Sequence, residues 1–339
     1  MSDSFQVLSL SGGGARGLYT AQVLVELEKR FGGPVASHFD IVCGTSIGGI
    51  LALGLAAHIP AIRLLDVFDR YLECIFPPFS NKDKKALPIV GISRKDYHQL
   101  KAPQYSPEPL RQAVEELFGD QLIGDLKSCV IVPAINYSVG QMRAFKTPHN
   151  PMFYQDKDRT LVDVALATSA APTYFPIHRI NGDRFVDGGL AANNPILMGV
   201  IEAYRAFDIP LENITGLCIG NMGQGLAANH EKSVDLGYKG WGFGQDIINL
   251  AMSTGEKLSF DMARMLLKGR LELIDSDATE SQAQLLSLDN GSQAAAEILK
   301  AHARNQAGKR VNDPPIITLF EHAANAVPCA LHTTMVGNK

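Results

Sequence analysis

Phe39 to Ala57 reads FDIVCGTSIGGILALGLAA, and the order of features along it decides the fold. A short apolar run, Phe39 to Cys43, enters the glycine-flanked turn Gly44-Thr45-Ser46-Ile47-Gly48, and an apolar helical stretch, Gly49 to Ala57, leaves it. A strand apolar on both sides suits the interior of a parallel sheet covered on both faces. The turn fits G-x-S-x-G, in which serine sits on a sharp strand-to-helix reversal. The residues two before and two after it must lack bulk so that the chain can fold back. The departing helix would aim its N-terminal dipole at the serine and favour negative charge there. In this context Ser46 is the expected nucleophile of an acyl transfer, supported by Gly44 and Gly48. The plainer reading of the five residues alone is a structural glycine turn.

Upstream, Gln6 to Ser11 alternates like a first strand, and Leu18 to Phe31 carries helical spacing that Gly32-Gly33-Pro34 ends. Strand, crossover helix and the next parallel strand form a right-handed unit. Downstream, helices are expected over Pro109 to Phe118, Pro195 to Phe207 and Asp246 to Leu267. Strands are expected over Cys129 to Ile135, Arg184 to Asp187 and Ile214 to Ile219. This alternation predicts an α/β protein: a three-layer α/β/α sandwich with a mostly parallel central sheet. Residues 1–339 are expected to form a single domain, its core motifs within 5–220 and a helix-rich C-terminal part over 221–339. The proline-rich residues 76–110 read as irregular surface structure.

A formal net charge of −4, with 19% charged and 46% hydrophobic residues, describes a globular chain with no general attraction to a nucleic acid polymer or to anionic lipid. The five cysteines are scattered without metal-ligand spacing, so no metal site is expected and a reduced, cytoplasmic protein is. The N-terminus shows no signal-peptide pattern. The longest apolar stretch, Ile47 to Ala57, falls short of the roughly 20 residues a membrane span needs.

Gly12-Gly13-Gly14-Ala15-Arg16-Gly17 follows the first strand and opens a helix, so successive backbone N–H groups can face one concavity. An acyl hydrolase needs such donors for the oxyanion of its tetrahedral intermediate, each worth about 3 kcal/mol of barrier. Gly12, Gly13, Gly14 and Arg16 are therefore the expected oxyanion hole. Arg16 either strengthens the positive field there, binds a lipid phosphate, or forms an ion pair at the helix start. The same six residues also satisfy G-x-G-x-x-G, but a dinucleotide fold wants an acidic residue at the end of the second strand. Here that strand ends in Cys43-Gly44, and Asp40 lies near its start. Asp187, closing the strand Phe185-Val186 and followed by Gly188-Gly189, is placed at the carboxyl edge of the sheet, where open α/β folds carry their sites.

Together these three motifs resemble the patatin-like phospholipase family. Thr168 to Pro176 and Asn193-Asn194-Pro195 are similar to it as well, and the likeness covers roughly residues 5 to 220. The resemblance implies calcium-independent acyl ester hydrolysis by a Ser46–Asp187 dyad with no cofactor, Gly188 and Gly189 supporting the acid. Within the family, Gly44 to Leu55 and Ile75-Phe76-Pro77 resemble bacterial phospholipases switched on by cyclic dinucleotides in antiphage signalling. That implies a cyclic dinucleotide activator, membrane phospholipid as substrate, action at the inner face of the membrane through peripheral contact, and room for a homo-oligomer. No residue marks a pocket for the activator.

A carboxylate is a weak base for an alcohol at neutral pH, so such a dyad must lean on geometry and loop donors. His230, His302, His322 and His332 follow the acid in the order of an ordinary triad, but none sits in a motif. Phe76-Pro77-Pro78-Phe79, with Lys82, Lys84 and Lys85, reads either as a membrane-touching segment or as a solvated loop. Two other functions fit parts of the pattern: an acyltransferase with the same elbow and a histidine partner, and a non-enzymatic nucleotide-binding regulator.

Overall fold

The central strands are buried along nearly their whole length, and the alternating direction of their side chains sorts the core onto two faces of one sheet. The structure, a computed structural model, describes residues 4–77, 102–223, 235, 237, 241, 245–279, 282 and 285–325. Among them the elements run β1 (Phe5–Leu10), α1 (Gly17–Phe31), β2 (Ile41–Gly44), α2 (Ile47–Ala56), α3 (Ala61–Ile75), α4 (Glu108–Phe118), β3 (Cys129–Asn136), β4 (Gln141–Lys146) and α5 (Leu161–Thr168). There follow β5 (His178–Ile180), β6 (Asp183–Asp187), α6 (Gly189–Ala192), α7 (Ile196–Ala206), β7 (Ile214–Ile219), α8 (Gln245–Leu266), β8 (Leu271–Ile274), α9 (Gln293–Arg310) and α10 (Pro314–Glu321).

Leu8 and Leu10 of β1, Val42 of β2, and Val130 and Val132 of β3 enter one apolar cluster with α1, α2, α3, α4, α5 and α9. Phe5, Val7, Ile41, Cys43, Cys129 and Ile131 enter the other, against Ile196, Val200 and Ala203 of α7 and Ala263 of α8. Alternate side chains point to opposite faces of a strand, so the two clusters are the two interlayers of an α/β/α sandwich.

The sheet order is β5-β6-β3-β2-β1-β7-β8, with β4 also paired to β3. From β3 to β8 along this order every pairing is parallel, whereas β4 and β6 run antiparallel to β3, and β5 antiparallel to β6. The expected mostly parallel sheet thus has an antiparallel border.

Local sequence explains the elements nearest the site. In α1, Leu18, Val23, Leu24 and Leu27 turn inward, and Gly32 at φ 77° ends the helix, in a conformation that side chains with a Cβ avoid. The sequence reading left α3 unassigned. It buries Leu64, Leu65, Phe68, Leu72 and Ile75, while Arg63 and Arg70 on its wet face both reach Glu116 of α4. Every residue of α2 is buried. Beyond residue 245, the chain adds α8 to the second face and β8 to the sheet, and packs α9 against α1.

Candidate active site

β1 and β2 end side by side, Ser9 opposite Cys43 and Leu10 opposite Gly44, so the glycine loop and the serine elbow leave the sheet at the same edge. Ser46 holds φ 55° and ψ −128°. This sparsely populated conformation persists only where the surroundings enforce it. Here the enforcement is visible. A Cβ on Gly44 would lie 2.1 Å from the Gly48 carbonyl oxygen, and one on Gly48 2.4 Å from that of Leu10. The Ser46 amide donates to Thr168 Oγ1 at 3.0 Å, and that hydroxyl donates to the Pro133 carbonyl at 2.6 Å. Thr45 Oγ1 donates to the Ala192 carbonyl at 2.6 Å, which ties the elbow to the segment after Asp187.

The Ser46 hydroxyl donates to Asp187 Oδ2 at 2.7 Å. Asp187 Oδ1 accepts the Gly189 amide at 2.7 Å. The carboxyl is 2% exposed, and burial lifts its pKa to about 6, held back by the Gly189 and Ser46 hydrogen bonds. It is therefore ionised at neutral pH, and a better base than a solvated aspartate. The route by which Asp187 arrives differs from the sequence reading. β6 is antiparallel to β3, with Asp187 opposite Ala134 and Phe185 opposite Asn136, so the aspartate approaches the carboxyl edge from beyond it. Gly188 is required where this strand passes β3, since a Cβ there would lie 2.2 Å from the Pro133 oxygen.

The glycine loop lies against the serine, for a Cβ on Gly12 would sit 3.2 Å from the Ser46 Cβ. Of the four residues expected to line an oxyanion hole, Gly12 gives its N–H to the Asn193 carbonyl at 3.0 Å and Arg16 gives its N–H to Gly13 at 3.1 Å. Neither backbone amide is free, which corrects the expectation for Gly12; the role expected of Arg16 belongs to its side chain and is not touched by this bond. Ala15 donates to the Leu288 carbonyl at 2.8 Å. The amides of Gly13 and Gly14 meet no protein acceptor among the described residues, so these two are the loop's available donors. Gly14 has φ +55°, and a Cβ on it would lie 2.2 Å from the Leu288 oxygen. The Arg16 side chain is half-buried. Burial lowers its pKa, while Glu256 and Asp275 act in the opposite sense.

An apolar cavity open to solvent has Ser46 and Asp187 in its wall, and Leu18, Ile50, Phe68, Leu72 and Phe175 among its lining. A long hydrocarbon chain fits such a lining. Phe76, read either as touching membrane or as part of a solvated loop, is buried against Tyr105 and Phe175 at ring distances of 5.4 and 5.9 Å. Phe79, Lys82, Lys84 and Lys85 lie outside the described residues.

Of the candidate histidines, His302 meets Gln282 and His322 meets Asp40, and His230 and His332 lie outside the described residues. Among the described residues no imidazole bonds Ser46 or Asp187, so the arrangement there is a two-residue one. The sequence reading gave no role to Thr168, Asn193, Asn221, Glu256 or Leu288. Thr168 and Asn193 fall inside stretches that it singled out, whereas the other three are lone residues in unmarked segments. Asn193 Nδ2 donates to the Gly12 carbonyl at 3.2 Å, and Asn221 Nδ2 donates to the same oxygen at 2.5 Å.

Comparison with known proteins accords with this geometry. Residues 8–200 match the family model described as patatin-like phospholipase. A Pseudomonas aeruginosa protein named cGAMP-activated phospholipase is 40% identical over 328 residues, covering 95% of this chain and 94% of its own. A Vibrio cholerae protein of the same name is 36% identical, covering 91% of each chain. An Escherichia coli protein, again so named, is 35% identical and covers 89% of this chain and 88% of its own.

Proposed function

The chain belongs to the patatin-like phospholipase family, and on that premise we propose that it releases fatty acids from membrane glycerophospholipids with Ser46 as nucleophile, under the control of cGAMP. The observation that carries the chemistry is the 2.7 Å hydrogen bond from Ser46 to a buried carboxylate, without an imidazole between them. Ser46 attacks the acyl carbonyl as its proton passes to Asp187. The amides of Gly13 and Gly14 stabilise the oxyanion, and Asp187 returns the proton to the departing alcohol, a lysophospholipid. Water, deprotonated by Asp187, then attacks the acyl-enzyme and frees the fatty acid and Ser46. The apolar cavity favours the acyl chain of a lipid over a small polar ester.

Control by cGAMP is supported by the names of the three relatives, each aligned over most of its length. No helix of the described residues is long and apolar enough to cross a membrane. The reading puts the working position at the face of the bilayer, reached from the cytoplasm. The test is fatty acid release from phosphatidylglycerol–phosphatidylethanolamine vesicles with and without cGAMP. Release that needs both the nucleotide and Ser46 supports the reading. Release indifferent to cGAMP removes the activator, and none under either condition removes the phospholipase.

A further inference from the structure

Glu256 stands on α8, outside residues 8–200 that the family model matches. Its Oε2 accepts a hydrogen bond from Asn193 Nδ2 at 2.7 Å. The same Nδ2 donates to the Gly12 carbonyl at 3.2 Å, while the Gly12 N–H donates to the Asn193 carbonyl at 3.0 Å. Gly12 is thus gripped at both its amide and its carbonyl by one residue, and that residue is held by Glu256. The fit leaves no slack, since a Cβ on Gly12 would lie 2.5 Å from Asn193 Oδ1. One helical turn further on, Ser259 Oγ donates to the Asn194 carbonyl at 2.7 Å, so two side chains on one face of α8 hold consecutive residues.

Glu256 is costly where it is. A carboxylate withdrawn from water loses solvation that its partners must offset, and its surroundings include a second buried acid, Asp275. A negative charge near the glycine loop also opposes an oxyanion there. Arg16 supplies an opposite charge that offsets part of this cost, and the hydrogen bond to Asn193 gives the carboxylate a second task. We propose that Glu256 is a positioning residue for catalysis, its carboxylate orienting Asn193 so that Asn193 clamps Gly12 and sets the Gly13 and Gly14 amides beside Ser46. The inference rests on the reading of Ser46 as the nucleophile.

Two substitutions separate acceptor from charge. E256Q keeps an acceptor at the same reach and removes the charge; E256D keeps the charge and withdraws the acceptor by one methylene. With cGAMP and a soluble acyl ester, E256D loses about tenfold or more in kcat with KM little changed, because the lost contacts serve the transition state. E256Q stays within about threefold of the wild type. N193A reproduces the loss of E256D, and the double variant falls no further, as expected of two residues acting as one unit. Thermal unfolding of each variant verifies folding, and should E256D not fold, E256Q and N193A still decide the matter. Full activity in N193A or E256D, or an E256Q as impaired as E256D, overturns the proposal. Hydrolysis by the wild type that vanishes in S46A secures the underlying reading separately.

Discussion

Gly189 donates its amide to the one carboxylate oxygen of Asp187 that Ser46 does not use. Both oxygens are therefore occupied, and the acid is oriented toward the serine without help from an imidazole. This contact and the burial of the carboxyl together set its titration, and the pH behaviour follows.

Activity requires Asp187 ionised, so kcat should rise with pH through about 6 and level off above it. Asp275, raised to about 7 by burial, titrates nearby, so a D275N variant isolates the contribution of Asp187. A pH–rate profile in D275N that still bends near 6 agrees with this assignment. A flat profile from pH 5 to 8 disagrees.

The same raised pKa predicts a gain in stability from D187N. The folded state binds the proton more tightly than the unfolded state, so ionised Asp187 destabilises the fold above pH 6. That penalty fades as pH falls from about 6 to the unfolded value of roughly 4 and is absent below it. At pH 8 D187N should unfold on the order of 2 kcal/mol less readily, with kcat down on the order of a thousandfold. Denaturation at pH 8 and pH 4 tests the sign, since the gain belongs to pH 8 alone.

His322 Nε2 donates to Asp40 and its Nδ1 meets the Ser4 hydroxyl at the opposite, N-terminal end of β1, away from the dyad. H322A should cost about 1 kcal/mol of stability, since Asp40 keeps the Gln6 and Asn325 amides as donors. Ester hydrolysis should be unchanged. Loss of activity to the S46A level would restore a histidine to the mechanism.

The apolar cavity sets chain-length preference through α3, which contributes Phe68 and Leu72. L72W fills part of it, so hydrolysis of a hexadecanoyl ester should fall about tenfold or more relative to a butyryl ester. Equal losses on both esters would place the long chain elsewhere.

The sequence disclosed most where strand, turn and helix are contiguous. Residues 5–57 can be read almost in full because Ser46 and Gly12 to Gly17 sit in short motifs whose glycines are forced by close contacts, with backbone at Gly14, Gly44 and Gly48 and with side chains at Gly12, Gly13 and Gly17. The sheet border was illegible for a different reason. β4 is largely exposed or half-buried and lacks an apolar run, while β5 has only three residues. Without them nothing signals that β6 runs antiparallel, so the place of Asp187 is legible but the direction from which it enters is not. Glu256, Asn221 and Leu288 were invisible because each acts through long-range contacts that leave no local pattern.

The central claim is that Ser46, activated by Asp187 alone, takes up the acyl group. Treating the folded protein with a fluorophosphonate and mapping the adduct by peptide mass spectrometry tests this most directly. A single adduct on Ser46, abolished in S46A and strongly slowed in D187N, is the predicted result. An unlabelled Ser46, or labelling as fast in D187N as in the wild type, would contradict it.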